Sequence, residues 1–154
     1  MRTITFFVPG LPRPAGSKRA FALRKGGVLT GRVAVTDANP KSRDWKTQVS
    51  QVAADKMKED GRGLLEGPLK LTVDFKLPRP KSHFRTGKHA GQKKDTAPFF
   101  HTSKPDATKL TRAVEDALTN IVWHDDAQVS MQHVGKTYES CDIGCWVTIA
   151  ELVD

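Results

Sequence analysis

Residues 104–118 have the sequence KPDATKLTRAVEDAL and are followed by a short connection to residues 123–129, WHDDAQV. Apolar side chains recur every three or four positions from Leu110 to Ile121, which is the spacing of one buried helical face. We therefore predict a short amphipathic helix that packs its apolar side onto the rest of the domain.

Acidic residues flank this helix at both ends. Asp106 precedes it, and Asp125 and Asp126 follow it. Carboxylate oxygens are the ligands that Mg²⁺ prefers, so these residues are candidates for holding a divalent cation against a phosphate. The alternatives are ordinary ones: Asp106 as an N-cap, and the Asp125-Asp126 pair as a turn. We expect the acids of the two stretches to converge.

The polar side of the helix offers groups for a phosphate. It carries five residues, Thr108, Arg112, Glu115, Asp116 and Thr119. Arg112 either forms an ion pair with Asp116 one turn later or, together with Lys109, faces the charge that develops during phosphate ester hydrolysis.

The remaining pattern predicts an α+β fold in a single domain, residues 1–154. A mixed sheet of four to six strands should carry two main helices. Predicted strands are Thr3–Val8, Leu69–Leu77, Gln128–Tyr138 and Gly144–Leu152, with a hairpin between residues 20 and 35. We expect the last two strands to be neighbours. The second helix begins at Pro40-Lys41-Ser42, with Ser42 as N-cap and Trp45 in the core, and ends before Gly61.

Composition favours an anionic partner. The chain has 25 Lys and Arg against 17 Asp and Glu, a formal net charge of +8, so nucleic acid is the first candidate and a merely basic enzyme the alternative. No apolar run has the length of a membrane span or a signal peptide, so we expect a cytoplasmic protein. Cys141 and Cys145 are expected to be reduced thiols rather than zinc ligands.

Residues 78–103 form a basic segment with almost no hydrophobic periodicity. They carry six Lys and Arg residues and one acid, Asp95. We expect a flexible insertion that lies along a phosphate backbone, with a solvated insertion as the alternative. Phe99-Phe100 and the histidines 83, 89 and 101 are compatible either with base stacking or with packing. A second phosphate contact is predicted at Lys18 and Arg19, after the Pro- and Gly-rich residues 9–16.

The order and spacing of these residues resemble the signature of the RusA family of Holliday-junction resolvases, Pro-Asp-x-Asp-Asn-Leu-x-Lys-Ala, then Asp-Ala-Leu, then Asp-Asp-x-Gln-Val. The resemblance implies a homodimeric, Mg²⁺-dependent endodeoxyribonuclease that nicks four-way DNA junctions symmetrically in recombination and repair. The first family aspartate falls on Asp106 and the later metal-binding aspartate on Asp126, with Asp125 beside it. Arg112 takes the place of the family lysine, so it keeps the charge but cannot donate a proton usefully.

Thr108 departs from the signature, because it stands where the family has its second catalytic aspartate. A hydroxyl is a weaker metal ligand than a carboxylate. Either another acid compensates, with Asp74, Glu115 and Asp142 as candidates, or the chain binds junctions without cutting them. A hydrolase of small nucleotides is disfavoured because the chain lacks a glycine-rich phosphate loop.

The resemblance and the charge pattern together define the predicted sites. Catalytic residues are Asp106, Asp126, Asp125 and Arg112, of which the three aspartates bind the metal. The predicted DNA contacts are Lys18, Arg19, Lys104, Lys109, Arg79, Lys81, Arg85, Lys88, Lys93 and Lys94.

Overall fold

The computed structural model describes residues 1–16, 18–37 and 40–154, and leaves undescribed the side chains of residues 18–21, 34–37 and 40. In chain order, the strands and α-helices are β1 (Thr3–Pro9), β2 (Lys18–Lys25), β3 (Val28–Asp37), α1 (Pro40–Asp60), β4 (Leu69–Pro78), α2 (Ala107–Leu118), β5 (Val129–Glu139) and β6 (Gly144–Glu151). Single 3₁₀ turns lie at Lys81–His83, Gly87–His89 and Asp126–Gln128. The predicted α+β arrangement is confirmed.

Strand β4 is central to a four-stranded mixed sheet with the order β1-β6-β4-β5. Its apolar residues at every second position, from Leu69 to Leu77, are all buried on one face, as the alternation predicts. It pairs antiparallel with β6 and parallel with β5.

The prediction that the last two strands are neighbours was wrong, because β4 lies between them. The physical reason is burial. Strand β6 places Cys145, Val147 and Ile149 in the core and pairs on both sides, whereas β5 exposes residues such as Met131 and takes a place at the end of the sheet.

Both α-helices lie on the same face of the sheet. Helix α1 packs on β1 and on α2, and α2 packs on β5. Trp45 is buried as predicted, and the hydroxyl of Ser50 donates to the carbonyl of Ala117 at 2.8 Å, which joins the helices. The N-cap prediction for Ser42 was wrong, since α1 already begins at Pro40 and Ser42 is buried inside its first turn. Gly61 follows the helix with φ 70°, a conformation that glycine adopts readily.

Strands β2 and β3 form a separate two-stranded sheet. They form the hairpin predicted between residues 20 and 35. Ala22 is paired with Val33 and Arg24 with Leu29, with a shift of register between them. None of the helices in the described residues combines the length and apolarity that a bilayer crossing requires.

Candidate active-site cleft between α2 and β5

A cleft of about 250 Å³ lies between α2 and the edge strand β5. Its lining comes from residues on one side of the helix and from alternate residues of the strand: Ala107, Thr108, Thr111, Arg112, Glu115, Gln132 and Val134. Three of the five polar residues predicted to share one side of α2 therefore face this cleft. The N-terminal and C-terminal ends of the helix differ in their chemistry.

Asp126 is fixed at the C-terminal end of α2. Its Oδ1 accepts hydrogen bonds from the hydroxyl of Thr119, which is the C-cap residue, and from the indole N–H of Trp123 at 2.9 Å. Trp123 is fully buried. A rigid core residue thus orients this carboxylate, and both of its hydrogen bonds in the described structure use the same oxygen.

Glu115 lies beside this carboxylate on the cleft wall. Burial, followed by the negative charges of Asp126 and Asp116, raises the pKa of Glu115 to about 6. The side-chain amide of Gln132 donates to Glu115 Oε1 across the cleft. Glu115 therefore provides a second carboxylate close to Asp126, near the C-terminal end of α2.

The other two candidate compensating acids lie elsewhere. Asp74 belongs to the alternate set of β4 residues, on the sheet face opposite the helices, and is paired in register with Trp146 and Gly135. Asp142 lies in the connection between β5 and β6 with φ 55°. Of the three candidates, only Glu115 lines the cleft.

Asp106 is the N-cap residue of α2 by backbone conformation, but its side chain makes no capping hydrogen bond. The carboxylate is 65% exposed, and its nearest cation is the ammonium of Lys109 at 4.0 Å. Asp106 thus occupies the N-cap position, as the alternative interpretation predicts, but its side chain does not cap the helix. The carboxylate remains free to bind another group.

Cations surround Asp106. Arg13, Lys104 and Lys109 line two shallow depressions beside the start of α2. From β5, the ammonium of Lys136 donates to the carbonyls of Ser103 and Pro105, both at 2.9 Å. This end of the helix is therefore suited to an anionic ligand such as a phosphate.

Arg13 and Lys136 were not among the predicted site residues. A signal for Lys136 existed in the sequence. It alternates with Val134 and Gln132 on β5, so it lies on the strand side that faces α2.

Asp106 and Asp126 lie at opposite ends of α2. Thr119, the hydrogen-bond partner of Asp126, is thirteen positions after Asp106, which corresponds to about 20 Å along a helix axis at 1.5 Å per residue. The helix therefore keeps the backbone of Asp106 far from the turn that carries Asp126 within one copy of the chain, and convergence of the two carboxylates stays a prediction. In the described part of the chain, no group of three or more His, Cys, Asp or Glu residues is placed to hold a metal.

Asp125 has a local structural role in this fold. It caps the 3₁₀ turn Asp126–Gln128 by accepting from the amide of Ala127 at 2.8 Å, and Gln128 completes the capping box. The side chain of Gln128 also donates to the carbonyls of Leu65 and Gly67. The turn that presents Asp126 is thereby tied to the segment before β4.

Arg112 is exposed and lines the middle of the cleft. The alternative of an Arg112–Asp116 ion pair is not what the structure contains, because Asp116 accepts from Lys46 of α1 at 3.2 Å. Arg112 thus lies between the cationic and acidic ends of the cleft.

The basic segment folds back on itself. The amide of Arg85 donates to the carbonyl of Gln92, and that of Lys94 to the carbonyl of His83. Arg79 is half-buried, lies 5.3 Å from the ring centre of Tyr138 and donates to the carbonyl of Pro98 at 2.6 Å. Its guanidinium therefore serves first to anchor the segment.

The other predicted DNA contacts of the segment are exposed: Lys81, Arg85, Lys88, Lys93 and Lys94. The guanidinium Nη2 of Arg85 lies 3.5 Å from Oδ2 of Asp95. The side chains of Lys18 and Arg19 lie outside the described residues, so the predicted phosphate contact there stays a prediction.

The chain is similar to a known protein family and to a protein of Bacillus subtilis. The family profile described as endodeoxyribonuclease RusA matches residues 12–150. The chain is also 31% identical over 138 residues to the uncharacterized protein YqaN of Bacillus subtilis (strain 168), with 90% of this chain and 89% of that protein aligned.

Proposed function

The chain belongs to the RusA endodeoxyribonuclease family, and from this premise we propose that it is a divalent-metal-dependent nuclease that resolves four-way DNA junctions during recombination and repair. The observation that carries the proposal is the cleft along α2, which is flanked by an exposed carboxylate among cations at one end and by an oriented carboxylate at the other. Such a surface can bind a DNA phosphate and supply oxygen ligands to a cation. We expect the reaction to occur in the cytoplasm.

The metal site we propose is shared between two copies of the chain. Asp106 of one protomer and Asp126 of its partner would provide the ligands, because about 20 Å of helix separates these residues within one copy. A two-fold dimer pairs unlike ends of the two α2 helices and creates two equivalent sites, one for each strand to be cut. Bound Mg²⁺ would supply Lewis acidity and a more acidic water.

The chain's own residues have distinct roles in this proposal. Arg112, in the middle of the cleft, neutralises charge on the scissile phosphate. Lys104 and Lys109 hold the phosphate near Asp106. Asp125 orients the turn that carries Asp126, and its role as a metal ligand stays a prediction. The exposed lysines of the basic segment, with Lys18 and Arg19, bind the phosphate backbone without reading sequence.

Because Thr108 cannot supply a carboxylate, the acids at the C-terminal end of the cleft become more important for binding a metal. Thr108 lines the cleft but provides only a neutral hydroxyl where the family signature has an aspartate. We propose that Glu115 supplies the compensating carboxylate beside Asp126. The second candidate function, a protein that binds junctions without cutting them, is favoured by Thr108 alone.

Gel analysis of a labelled synthetic four-way junction tests the function. The wild-type protein should bind the junction in preference to linear duplex, and should cut it with Mg²⁺ but not with EDTA. Binding without Mg²⁺-dependent products would favour the second candidate. Equal competition by mononucleotides or linear duplex would refute junction selectivity.

A further inference from the structure

Two adjacent phenylalanines are exposed beside the edge strand β5. Phe99 is 56% exposed and Phe100 is 68% exposed. Their ring centres are 5.0 Å apart, and the rings meet edge to face at 80°. The two rings therefore pack on each other rather than in the core, which leaves apolar ring surface exposed to solvent.

The backbone holds this aromatic pair in place. The amide of Tyr138 donates to the carbonyl of Phe99, and the amide of His101 donates to the carbonyl of Lys136, both at 3.0 Å. Phe100 forms an antiparallel bridge with Thr137. Residues 99–101 thus extend the edge of the main sheet, and the two rings project from a defined position.

The ring of Tyr138 supports this edge from inside. The rings of His83 and His101 each lie 4.7 Å from it, centre to centre, and the guanidinium of Arg79 lies over it. Tyr138 is buried. The two exposed phenylalanines therefore lie on an ordered backbone rather than in a flexible loop, and such a position is suited to contact with a partner.

The surrounding charge indicates the class of partner. The segment before the pair has the five exposed cations named above and one acid, Asp95. The segment after it leads through Lys104 to Asp106. A partner that combines negative charge with flat apolar faces is a nucleic acid with accessible bases. An apolar protein surface would bury the rings but would provide no negative charge for the cations.

We propose that Phe99 and Phe100 stack on bases at the branch point of a DNA junction, where base pairs have lost a stacking neighbour. This inference rests on the proposed function and adds to it the part of the surface that distinguishes a junction from a duplex. Insertion of apolar side chains between bases is an established way of opening a base step. The cations hold the backbone while the rings contact the exposed base faces.

The test uses a four-way junction with 2-aminopurine at the branch point, in Ca²⁺ to prevent cleavage. The wild-type protein should raise the fluorescence as the base leaves its stack. Phe99→Ala/Phe100→Ala should abolish the rise and weaken junction binding about tenfold or more, because stacking contributes on this order per base. Binding of linear duplex should change little. Phe100→Trp, which keeps a stacking face, should retain the fluorescence rise.

A matched control is Met131→Ala, which removes an exposed apolar side chain, 52% exposed, from β5 itself. It should leave both measurements unchanged. If the alanine double variant binds and unstacks the junction like the wild type, the inference is overturned while the proposed function stands. If the double variant instead loses its dimeric state in sedimentation, the pair is a protein interface and the inference is also overturned. A wild-type protein with no preference for junctions would overturn the proposed function itself.

Discussion

Complementation between two inactive variants tests the shared metal site. Asp106→Asn and Asp126→Asn each remove one carboxylate charge with little change of shape, and each homodimer should fail to cut a junction while still binding it. In one copy, about 20 Å of helix separates Asp106 from Thr119, the hydrogen-bond partner of Asp126, whereas Mg²⁺–oxygen bonds are about 2.0–2.1 Å, so we expect the two carboxylates of one protomer not to share an ion.

A heterodimer of the two variants, purified through different tags, restores one site. Asp106 comes from one chain and Asp126 from the other, so about half of the wild-type number of sites is intact. We expect about half the wild-type nicking rate, with junctions nicked on one strand rather than resolved. Denaturing gels of a junction labelled on each strand measure both quantities.

The decisive control pairs a wild-type chain with a chain that carries both substitutions. A shared site leaves this heterodimer inactive, because each of its two sites lacks one ligand. A site contained in one chain gives the opposite pair of results: the first heterodimer is inactive and the second keeps one working site. That outcome would refute the reasoning from helix length.

Three further predictions concern the cleft, the aromatic edge and the core. Thr108→Asp should lower the Mg²⁺ concentration needed for half-maximal cleavage, and no change in a metal titration would indicate that Glu115 already fills the role. Burial, followed by the charge of Lys136, lowers the pKa of His101 below 6.5. Because the unfolded chain then binds more protons than the folded one, the free energy of unfolding should fall as the pH drops below about 6.5. His101→Gln should weaken this pH dependence in thermal unfolding, and identical pH profiles of variant and wild type would contradict the prediction. Phe75→Ala should cost about 3–5 kcal/mol in urea unfolding, because the side chain is fully buried beneath the helices.

The elements of the fold were predictable where a local pattern determines them. The alternation of β4 and the apolar stripe of α2 each report which side is buried, and the structure confirms both. Strand order was not predictable in this way, since the short connection between β5 and β6 resembles a hairpin and the insertion of β4 between them depends on long-range pairing. The Ser42 boundary failed because helix starts are decided by backbone geometry over a few residues.

The candidate site was predictable in its residues but not in its geometry. The signature gives the order of Asp106, Arg112 and Asp126 along the chain, and two of these flank a helix whose length keeps them apart. Lys136 was missed because its role arises from a strand beside the helix, with no fixed spacing to the motif. Glu115 was named as one of three acids, and only the fold distinguishes it from Asp74 and Asp142.

The distribution of charge along α2 gives an independent reason to expect unlike helix ends to meet in a dimer. The N-terminal end is flanked by cations from three parts of the chain, including Arg13 and Lys136, whereas Glu115 and Asp126 mark the C-terminal end. Two copies that pair like ends place charges of the same sign together, and two that pair unlike ends place opposite charges together. Such a dimer should weaken as salt is added, and its dissociation constant, measured by sedimentation, should rise with ionic strength. A salt-independent constant would mean that apolar contacts elsewhere hold the two copies, and the charge argument for the shared site would then be lost.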